Sequence, residues 1–292
     1  MIGVTIPAPF TTPITRESLA VVTGAGSGIG RSFAVELARR GAHIVCADTD
    51  EHSAHATVDL IEEIAGPGHG IAVQCDVSKA EDVEALHDRS VQWFGCAPTL
   101  VINNAGIGAG GTPVGIATLP DWERTLAVNL WGVIHGCHHF VPIMKQAGHG
   151  GIINVASAAG FAAGPNMAAY NVSKAGVMSL SETLAAELSG TGVRVTVLCP
   201  TFVQTNIFSG DLIESSAAST AARLSRAIGM SPEKVALKTL DAHDKGHLYV
   251  VPQIDARAIW VFKRIAPTIH ARVGGLLARV ALFTPEEEGT NR

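Results

Sequence analysis

The residues best suited to chemistry in this sequence are Tyr170, Lys174 and Ser157. Tyr170 and Lys174 are four positions apart, so a helix would place both side chains on one face. A phenol beside an ammonium group can exchange a proton, because the positive charge favours the phenolate. Ser157 follows an apolar run and precedes the pair, and the chain holds only 2 tyrosines. The three residues together indicate a site for proton transfer.

A glycine-rich turn lies near the start of the chain, where residues 23–30 read TGAGSGIG. Glycines let the backbone turn tightly and let a diphosphate approach a helix N-terminus, whose free N–H groups and dipole favour an anion. A glycine cluster by itself also suits an ordinary turn. Because this one follows an apolar run and precedes a helical pattern, it favours a dinucleotide site. The residues assigned to it are Gly24, Ser27, Gly28, Ile29 and Gly30.

Asp48 ends the second apolar run and bears on the choice of dinucleotide. A carboxylate at this place can accept hydrogen bonds from both hydroxyls of an adenosine ribose. It would also face a 2′-phosphate with like charge, which costs several kcal/mol. Ser27 offers no compensating positive charge, and we interpret the nearby Arg31 as capping the first helical turn. The pattern predicts NAD as cofactor rather than NADP.

The elements that must position these residues alternate regularly from Leu19 onward. The predicted strands are Leu19–Thr23, Ala42–Ala47, Ile71–Cys75, Leu100–Ile102, Gly151–Ala156, Val193–Leu198 and His247–Val251. The predicted helices include Gly30–Arg40, Ala54–Ile64, Ala80–Phe94, Trp122–Gln146 and Ala168–Ser189. Strands that alternate with helices predict βαβ units, a parallel sheet and right-handed crossovers. No polar linker interrupts the alternation, so we expect one α/β domain with a doubly wound sheet.

The ends of the chain depart from this rhythm. Residues 1–17 are expected to form an irregular arm, and residues 18–252 the catalytic domain. Within it, residues 201–230 form a long connection of the kind that often serves as a lid. Ser231, followed by proline, is expected to cap a helix that runs to about Leu240. Residues 253–292 are expected to form a basic, amphipathic extension interrupted at Pro267.

Composition excludes several classes of protein. With 47% hydrophobic residues and 16% charged residues, the chain is neither disordered nor collagen-like. A net charge of −5 argues against a general nucleic-acid binder. The 5 cysteines are widely spaced, which favours buried thiols in a reducing compartment. No basic signal segment and no apolar run near the length of a membrane span is present, so a cytoplasmic protein is expected.

These motifs occur in the order and spacing of the short-chain dehydrogenase/reductase superfamily, which the chain closely resembles from about Leu19 to Val251. The resemblance rests on TGAGSGIG, Asp48, Asp76-Val77, residues 103–106 (NNAG), Asn129, Ser157, Tyr170-x3-Lys174 and Pro200 with Thr205. It implies a Rossmann-like sheet of seven parallel strands with helices on both sides. Thr201 stands where the family usually has glycine after the proline. It should restrict the backbone conformations available there without affecting catalysis.

The resemblance also implies the roles of individual residues. Asn129, Ser157, Tyr170 and Lys174 would form a catalytic tetrad, in which Tyr170 is the general base for alcohol oxidation and the general acid for carbonyl reduction. Ser157 would hold the substrate oxygen, and Asn129 a water that relays protons to Lys174. The residues expected to line the cofactor, beside the glycine turn and Asp48, are Asp76, Val77, Asn103, Ala105, Gly106, Tyr170, Lys174, Pro200, Val203 and Thr205.

The substrate would lie between residues 108–115, residues 158–167 and the lid. The side chains expected to contact it are Ser157, Phe161, Met167, Phe202 and Phe208. Four of these five side chains are apolar, and none of the five is an arginine that could bind a carboxylate or phosphate. A bulky hydrophobic or aromatic secondary alcohol, or its ketone, is therefore expected, although the same side chains could simply seal the lid onto the core.

Several alternatives remain open at this stage. His135 and His139 have the spacing of zinc ligands, but no third ligand is apparent, so packing or a subunit interface is favoured and no metal is expected. A reductase that uses NADPH, or a dinucleotide sensor without catalysis, would keep the same fold. The resemblance implies a homodimer or homotetramer. The basic extension is expected to pack on its own domain or cover a neighbouring subunit, ahead of lying on a membrane surface.

Overall fold

A parallel sheet of seven strands forms the centre of the computed structural model, which describes residues 13–282. The strand order is β3-β2-β1-β4-β5-β6-β7, and every neighbouring pair is parallel. The strands are β1 Leu19–Thr23, β2 His43–Asp48, β3 Gly70–Gln74, β4 Leu100–Asn103, β5 Gly150–Val155, β6 Val193–Leu198 and β7 Tyr249–Val250. The order reverses between β1 and β4, so a crevice opens at the carboxyl ends of these two strands.

Helices cover both faces of the sheet. They are α1 Gly28–Arg39, α2 Glu51–Ala65, α3 Ala80–Phe94, α4 Leu119–Leu126, α5 Gly132–Ala147, α6 Ala159–Ala162, α7 Ala168–Glu187, α8 Ser215–Ile228, α9 Pro232–Asp244, α10 Ile254–Ile265 and α11 Pro267–Leu282. A π-helical segment, Ala127–Trp131, joins α4 to α5, and a 3₁₀ turn, Asn206–Ser209, precedes α8. The expected doubly wound fold with seven parallel strands is confirmed.

The core forms two layers because successive strand residues point to opposite faces of the sheet. On β1, Val21 packs with Val101, Ile152 and the helices α3, α5 and α7. Its neighbour Val22 packs with the layer of α1, α2 and α9 on the other face. Burying one such side chain stabilises the fold by roughly 1.5–3 kcal/mol. Because helices cover both faces of the sheet, a ligand is expected at the carboxyl edge, where the crevice opens.

Some elements differ from the prediction. The single helix expected over Trp122–Gln146 is divided into α4, the π-helical segment and α5. The connection expected over residues 201–230 contains a helix of its own, α8. Ser231 caps α9 as expected, since its side chain accepts a hydrogen bond from the Lys234 N–H, but α9 continues to Asp244. The arm expected over residues 1–17 lies largely outside the described residues.

The cysteines correct one expectation. Cys46, Cys75, Cys137 and Cys199 are buried thiols, whereas Cys96 is exposed. Cys96 lies just after α3, beyond the apolar face of that helix, so nothing covers it there. Burial raises the pKa of each of the four buried thiols to about 12. These four are therefore protonated and unreactive at neutral pH.

His243 makes the stability of the fold sensitive to acid. It is fully buried on α9, with Nδ1 2.9 Å from Thr196 Oγ1. Burial lowers its pKa from 6.5 to about 4; the Asp244 carboxylate opposes that change and the Arg194 guanidinium adds to it. Below pH 6.5 the unfolded chain therefore binds a proton that the folded chain does not. We expect the free energy of unfolding to fall as pH drops from about 6.5 towards 4, by roughly 3 kcal/mol in total.

Urea denaturation at neutral pH and at about pH 5 measures this loss, of which about 2 kcal/mol should appear by pH 5. His243→Gln removes the titrating group and should flatten the difference between the two curves. His52→Gln, which removes an exposed histidine, is the matched control. A wild-type and a His243→Gln protein with the same pH dependence would contradict the prediction.

Candidate active site

The glycine turn forms a bare backbone surface at the N-terminus of α1. Gly24 and Gly28 have φ angles of 63° and 54°, which favour glycine. Gly30 packs so closely that a Cβ atom there would lie 2.0 Å from the Gly24 carbonyl oxygen. Ser27 is exposed beside the turn, and Ile29 is half-buried on it. The arrangement lets a phosphate approach backbone N–H groups without meeting side chains.

Asp48 lies at the edge of this turn. Its Oδ2 accepts a hydrogen bond from the Gly26 N–H at 2.8 Å, and its Oδ1 accepts one from the Asp50 N–H at 3.1 Å. Arg31 donates from Nε to Thr57 Oγ1 at 3.0 Å and from Nη2 to the Gly26 carbonyl. The guanidinium thus joins the glycine turn to α2, instead of capping the first turn of α1 as interpreted from the sequence. The Asp48 carboxylate and the Arg31 guanidinium therefore both lie beside Gly26, and the guanidinium is held by Thr57 and the Gly26 carbonyl.

The loop after β4 is joined to the glycine turn by Asn104. Its Nδ2 donates to the carbonyl oxygens of Thr23 and Gly24 at 2.9 and 3.2 Å. Thr23 Oγ1 accepts in return from the N–H groups of Asn104 and Ala105, at 3.0 and 3.1 Å. Ala105 therefore lies against the turn, as expected. The contribution of the Asn104 side chain was missed, and its position within the NNAG motif was the only signal for it.

Asn103 requires a correction. Its side chain is buried and donates to Asn154 Oδ1 at 2.8 Å, and Asn154 in turn donates to Ser181 Oγ at 3.0 Å. This chain of hydrogen bonds links β4, β5 and α7 inside the protein. Only the backbone of Asn103 can therefore line a cofactor groove. The alternation of side chains along a strand sends neighbouring asparagines in opposite directions.

Asn129 lies in the π-helical segment and is fully buried. Its amide accepts from the Ile107 N–H and donates to the Ile107 carbonyl, both at 2.8 Å. A Cβ on Gly106 would lie 3.1 Å from Asn129 Oδ1 and 3.4 Å from Lys174 Nζ. Asn129 and Lys174 therefore both lie close to the Cα of Gly106, on the side where a Cβ would project. Single π turns inside helices occur often at functional sites, because they leave backbone groups free for other partners.

Lys174, Tyr170 and Ser157 lie together beside this loop. Lys174 Nζ donates to the Val155 carbonyl at 3.0 Å and lies 5.8 Å from the centre of the Tyr170 ring. Ser157 Oγ accepts from the Ala159 N–H at 3.1 Å and lies 3.4 Å from the Pro200 carbonyl oxygen. The tetrad predicted from the sequence is thus assembled from the ends of β5 and α7 and from the π-helical segment.

Burial acts on both titrating groups of this cluster. It raises the pKa of Tyr170, and the hydrogen bond with Ser157 opposes that increase. It lowers the pKa of Lys174 to about 8, and the Cys199 thiol nearby opposes that decrease. Both shifts favour the neutral forms of phenol and amine. A group that adds positive charge here would favour the phenolate.

The remaining residues expected at the cofactor lie in the segments that follow the carboxyl ends of β3 and β6. Thr205 lies over the glycine turn, since its Cγ2 would be 3.1 Å from a Cβ on Gly28. The Pro200 carbonyl accepts from the Ala158 N–H at 2.8 Å, and buried Val203 forms a β-bridge with Met230. On the other side, Asp76 Oδ1 accepts from Ser78, and buried Val77 packs on Gly132.

The residues expected at the substrate are only partly brought together. Met167 lies against Gly110, where a Cβ would be 3.3 Å from Met167 Cβ. The lid contacts the same loop, because the Gly110 N–H donates to the Leu212 carbonyl at 3.1 Å. Phe202 is held at the base of the lid, with its carbonyl accepting from Gln253 Nε2 at 3.1 Å. The side chain of Phe208 lies outside the described part of the structure.

Phe161 requires a correction. Its ring is buried and stacks on Trp260 of α10 with 5.8 Å between centroids. It therefore packs the C-terminal extension onto α6 instead of facing the lid. Neither residue of this pair could be linked to the other from the sequence, since 99 positions separate them.

The histidines on α5 have ordinary packing roles in the described residues. His135 Nδ1 lies 3.0 Å from the Val77 carbonyl oxygen. Within residues 13–282, no group of three or more potential metal ligands is found. Over the same range, no helix is both long enough and apolar enough to cross a membrane. Phe140 is buried in the core, whereas Trp131 is half exposed.

Comparisons with known proteins agree with this geometry. The sequence profile of the short chain dehydrogenase family matches residues 18–212. The "Probable oxidoreductase EphD" of Mycobacterium tuberculosis is 46% identical over 199 residues, which cover 65% of this chain but only 32% of EphD. The chain therefore spans about a third of that relative. The "3beta-hydroxysteroid dehydrogenase 2" of Eggerthella lenta is 38% identical over 68% of this chain and 75% of its own length.

A solved structure extends the agreement to three dimensions. A short-chain dehydrogenase/reductase from Burkholderia phymatum, in complex with NAD, superposes with a TM-score of 0.79. It is 34% identical and covers 87% of this chain and 95% of its own. The glycine turn, the assembled tetrad and a profile match over more than half of the chain lead to one conclusion. The chain belongs to the short-chain dehydrogenase/reductase family of oxidoreductases.

Proposed function

We propose that this protein is an NAD-dependent oxidoreductase that interconverts a bulky, hydrophobic secondary alcohol and its ketone. The observation that carries the proposal is the meeting of Ser157, Tyr170, Lys174 and Asn129 around Gly106, across the crevice from the glycine turn. A protein that only binds a dinucleotide has no need of a tyrosine beside a buried lysine at this place. The rival function, a sensor without catalysis, leaves that pair unexplained.

The residues present fit a nicotinamide dinucleotide. The glycine turn offers open backbone at a helix N-terminus, Asp48 stands at the end of β2, and Thr205 and Gly106 border the space between them. Asp48, the backbone of residues 24–30, Lys174 and Thr205 would hold the group. When bound, it would supply or accept hydride and, in its oxidised form, add positive charge beside the tetrad.

The chain's own residues would then carry the proton. Ser157 donates to the substrate oxygen and holds it near Tyr170, which takes the hydroxyl proton during oxidation or returns it during reduction. Burial opposes the phenolate, so Tyr170 would need positive charge nearby, such as that of Lys174 when its amine is protonated. Each unit by which the pKa falls corresponds to roughly 1.4 kcal/mol. Lys174, with a pKa near 8, can pass the proton onward on the side of Asn129.

Asp48 is the basis for NAD rather than NADP. We expect NADPH to bind at least about 100-fold more weakly than NADH, because a 2′-phosphate would meet this carboxylate at a cost of several kcal/mol. Asp48→Asn keeps an acceptor for the Gly26 N–H but removes the negative charge. It should therefore reduce the difference in affinity between NADH and NADPH. Fluorescence titration with both cofactors measures it, with the exposed Asp59→Asn as the control for an equal change of charge. Equal affinity of the wild-type protein for NADPH would favour the alternative, a reductase that uses NADPH.

The apolar character of the substrate rests on the loops around the crevice. Residues 108–115, 158–167 and 202–213 contain no lysine or arginine. Ile213 Cδ1 lies against Gly108, and Met167 lies against Gly110. A carboxylate or phosphate would therefore lack a charged partner among these segments. The hydroxysteroid specificity stated for the Eggerthella lenta relative points to the same class of substrate.

The experiment that tests the function mixes the purified protein with NAD and a panel of secondary alcohols, from small aliphatic alcohols through aryl carbinols to steroids. NADH absorbance is followed, and Tyr170→Phe serves as the blank. We expect turnover to be concentrated on the bulky apolar alcohols. Turnover of small polar alcohols alone would contradict the proposal that the substrate pocket is apolar. NADH binding without turnover on any alcohol or ketone would favour the sensor.

We propose that subunits associate through α5 and α7, as the family resemblance implies. Trp131, at the start of α5, and Val172, on α7, are large hydrophobic side chains that are 52% and 49% exposed. Burial of such side chains in a homo-oligomer would remove apolar area from water. Light scattering should give the mass of a dimer or tetramer, and a monomer at micromolar concentration would contradict this arrangement.

A further inference from the structure

The C-terminal extension differs in charge from the rest of the protein. Residues 254–282, which form α10 and α11, carry five basic residues and a single acidic one, whereas the whole chain has a net charge of −5. The basic residues are Arg257, Lys263, Arg264, Arg272 and Arg279. Among residues 13–282, none of the five forms a salt bridge with a carboxylate. Their positive charge is therefore not neutralised by any carboxylate of the described residues.

The same two helices expose an apolar stripe. Of the seventeen large hydrophobic side chains exposed in the described residues, seven belong to α10 and α11. They are Ile254, Val261, Phe262, Ile265, Ile269, Val273 and Leu276. Ile254 is 83% exposed, Ile265 78% and Leu276 61%. The positions 254, 261 and 265, and then 269, 273 and 276, follow the helical repeat, so each helix presents one apolar face to solvent.

The opposite faces of these helices are attached to the domain. Ala256 is fully buried, and Trp260 packs on Phe161 and Tyr249. On α11, His270 Nε2 lies 2.7 Å from the Ala162 carbonyl oxygen. The extension is thus fixed to the protein along one side, which leaves the stripe pointing outward. The extension thus packs on its own domain, as the sequence predicts, but this packing covers only one face of each helix.

We propose that α10 and α11 lie in the plane of an anionic lipid surface, with the stripe inserted among the acyl chains and the basic residues at the headgroups. Helices with an apolar face and a basic face bind lipid in this way, and each basic residue near an anionic surface adds to the binding. On α11, the helical repeat places Arg272 and Arg279 beside the stripe on the flank away from His270. That flank is where headgroups would meet them.

A second copy of the chain is the competing occupant of the stripe. Face-to-face pairing of α10 and α11 from two copies would bring the ten basic residues of these helices against their two acidic ones, and like charges that face each other cost several kcal/mol. A lipid surface rich in phosphate brings the opposite charge. Charge complementarity therefore selects the lipid. The proposal does not depend on the proposed function.

The test is flotation of the full chain with vesicles of phosphatidylglycerol and phosphatidylcholine in equal parts, and with vesicles of phosphatidylcholine alone. We expect binding to the anionic vesicles only. Ile269→Asp/Leu276→Asp should abolish it, because both side chains are exposed and their replacement leaves the core intact. Arg272→Gln/Arg279→Gln should weaken the partition coefficient about 30-fold, as expected for two basic residues at an anionic surface.

Matched controls lie elsewhere on the protein. Ile64→Asp places a charge on an exposed apolar position of α2, and Arg89→Gln/Lys145→Gln removes two positive charges from α3 and α5. Both should bind like the wild type. No flotation, or binding that the stripe and arginine variants leave unchanged, would overturn the proposal. A lower oligomer mass for Ile269→Asp/Leu276→Asp, without vesicle binding by the wild type, would assign the stripe to a second copy.

Discussion

Tyr170→Phe is expected to fold and bind NADH normally, yet to lose turnover by about 10²–10⁴-fold. The change removes one hydroxyl and keeps the ring that packs near Lys174. Without the hydroxyl, neither the hydrogen bond with Ser157 nor a path for the substrate proton remains. Because the glycine turn and Asp48 are untouched, the loss should appear in kcat and not in the affinity for NADH.

The other tyrosine of the chain supplies the control. Tyr249→Phe makes the same chemical change on β7, where the hydroxyl donates to Glu182 Oε1. It should leave turnover within a few-fold of wild type, because the hydroxyl of this half-buried tyrosine contacts Glu182 and none of the four residues of the tetrad. Steady-state rates on the best alcohol of the panel, with an NADH titration for each variant, make the comparison. Near-normal turnover in Tyr170→Phe, or an equal loss in Tyr249→Phe, would refute the role of Tyr170.

Gly30→Ala is expected to raise the dissociation constant for NADH on the order of 100-fold, because each hydrogen bond lost to a charged group such as the diphosphate costs roughly 1.5–3 kcal/mol. A Cβ at residue 30 would lie 2.0 Å from the Gly24 carbonyl oxygen and 2.5 Å from Asn104 Nδ2. The first contact is backbone, and the second atom is hydrogen-bonded to Thr23 and Gly24. Neither can move without opening the turn that would hold the diphosphate.

Gly115→Ala is the matched control, because a Cβ there meets no atom within 4 Å. It should bind NADH like the wild type. Circular dichroism establishes whether both variants are folded, and fluorescence titration gives the two affinities. Folded Gly30→Ala with wild-type affinity would show that the turn does not hold the cofactor. Gly28→Ala, with a contact of 3.1 Å to Thr205 and a positive φ, provides a milder variant in case Gly30→Ala fails to fold.

Much of the fold was predictable because its elements are encoded locally. The predicted strand Val193–Leu198 has the bounds of β6, and the predicted helix Ala80–Phe94 has those of α3. Apolar runs between glycine turns identify buried parallel strands, and the helical repeat identifies the covering helices. The π-helical segment was not predictable, because one extra residue in a single turn does not visibly change the helical hydrophobic pattern over Trp122–Gln146.

The candidate site was predictable to the extent that it depends on short spacings and on the ends of strands. Tyr170 and Lys174 share a helix face by their spacing alone, and Ser157 follows β5. Adjacent asparagines, by contrast, were not distinguished: Asn103 faces the interior and Asn104 holds the glycine turn. Which of two neighbours reaches the crevice depends on the register of β4 between β1 and β5, which only the assembled sheet determines.

The sequence by itself determined the order of the elements, the glycine turn before α1 and the positions of the tetrad, because each depends on residues close together in the chain. Only the tertiary structure decided that Phe161 packs on Trp260 and that one face of α10 and α11 stays uncovered. These outcomes depend on contacts between residues about a hundred positions apart. A helical repeat shows that a helix has an apolar face, but whether that face meets protein or solvent depends on the shape of the surface that it meets.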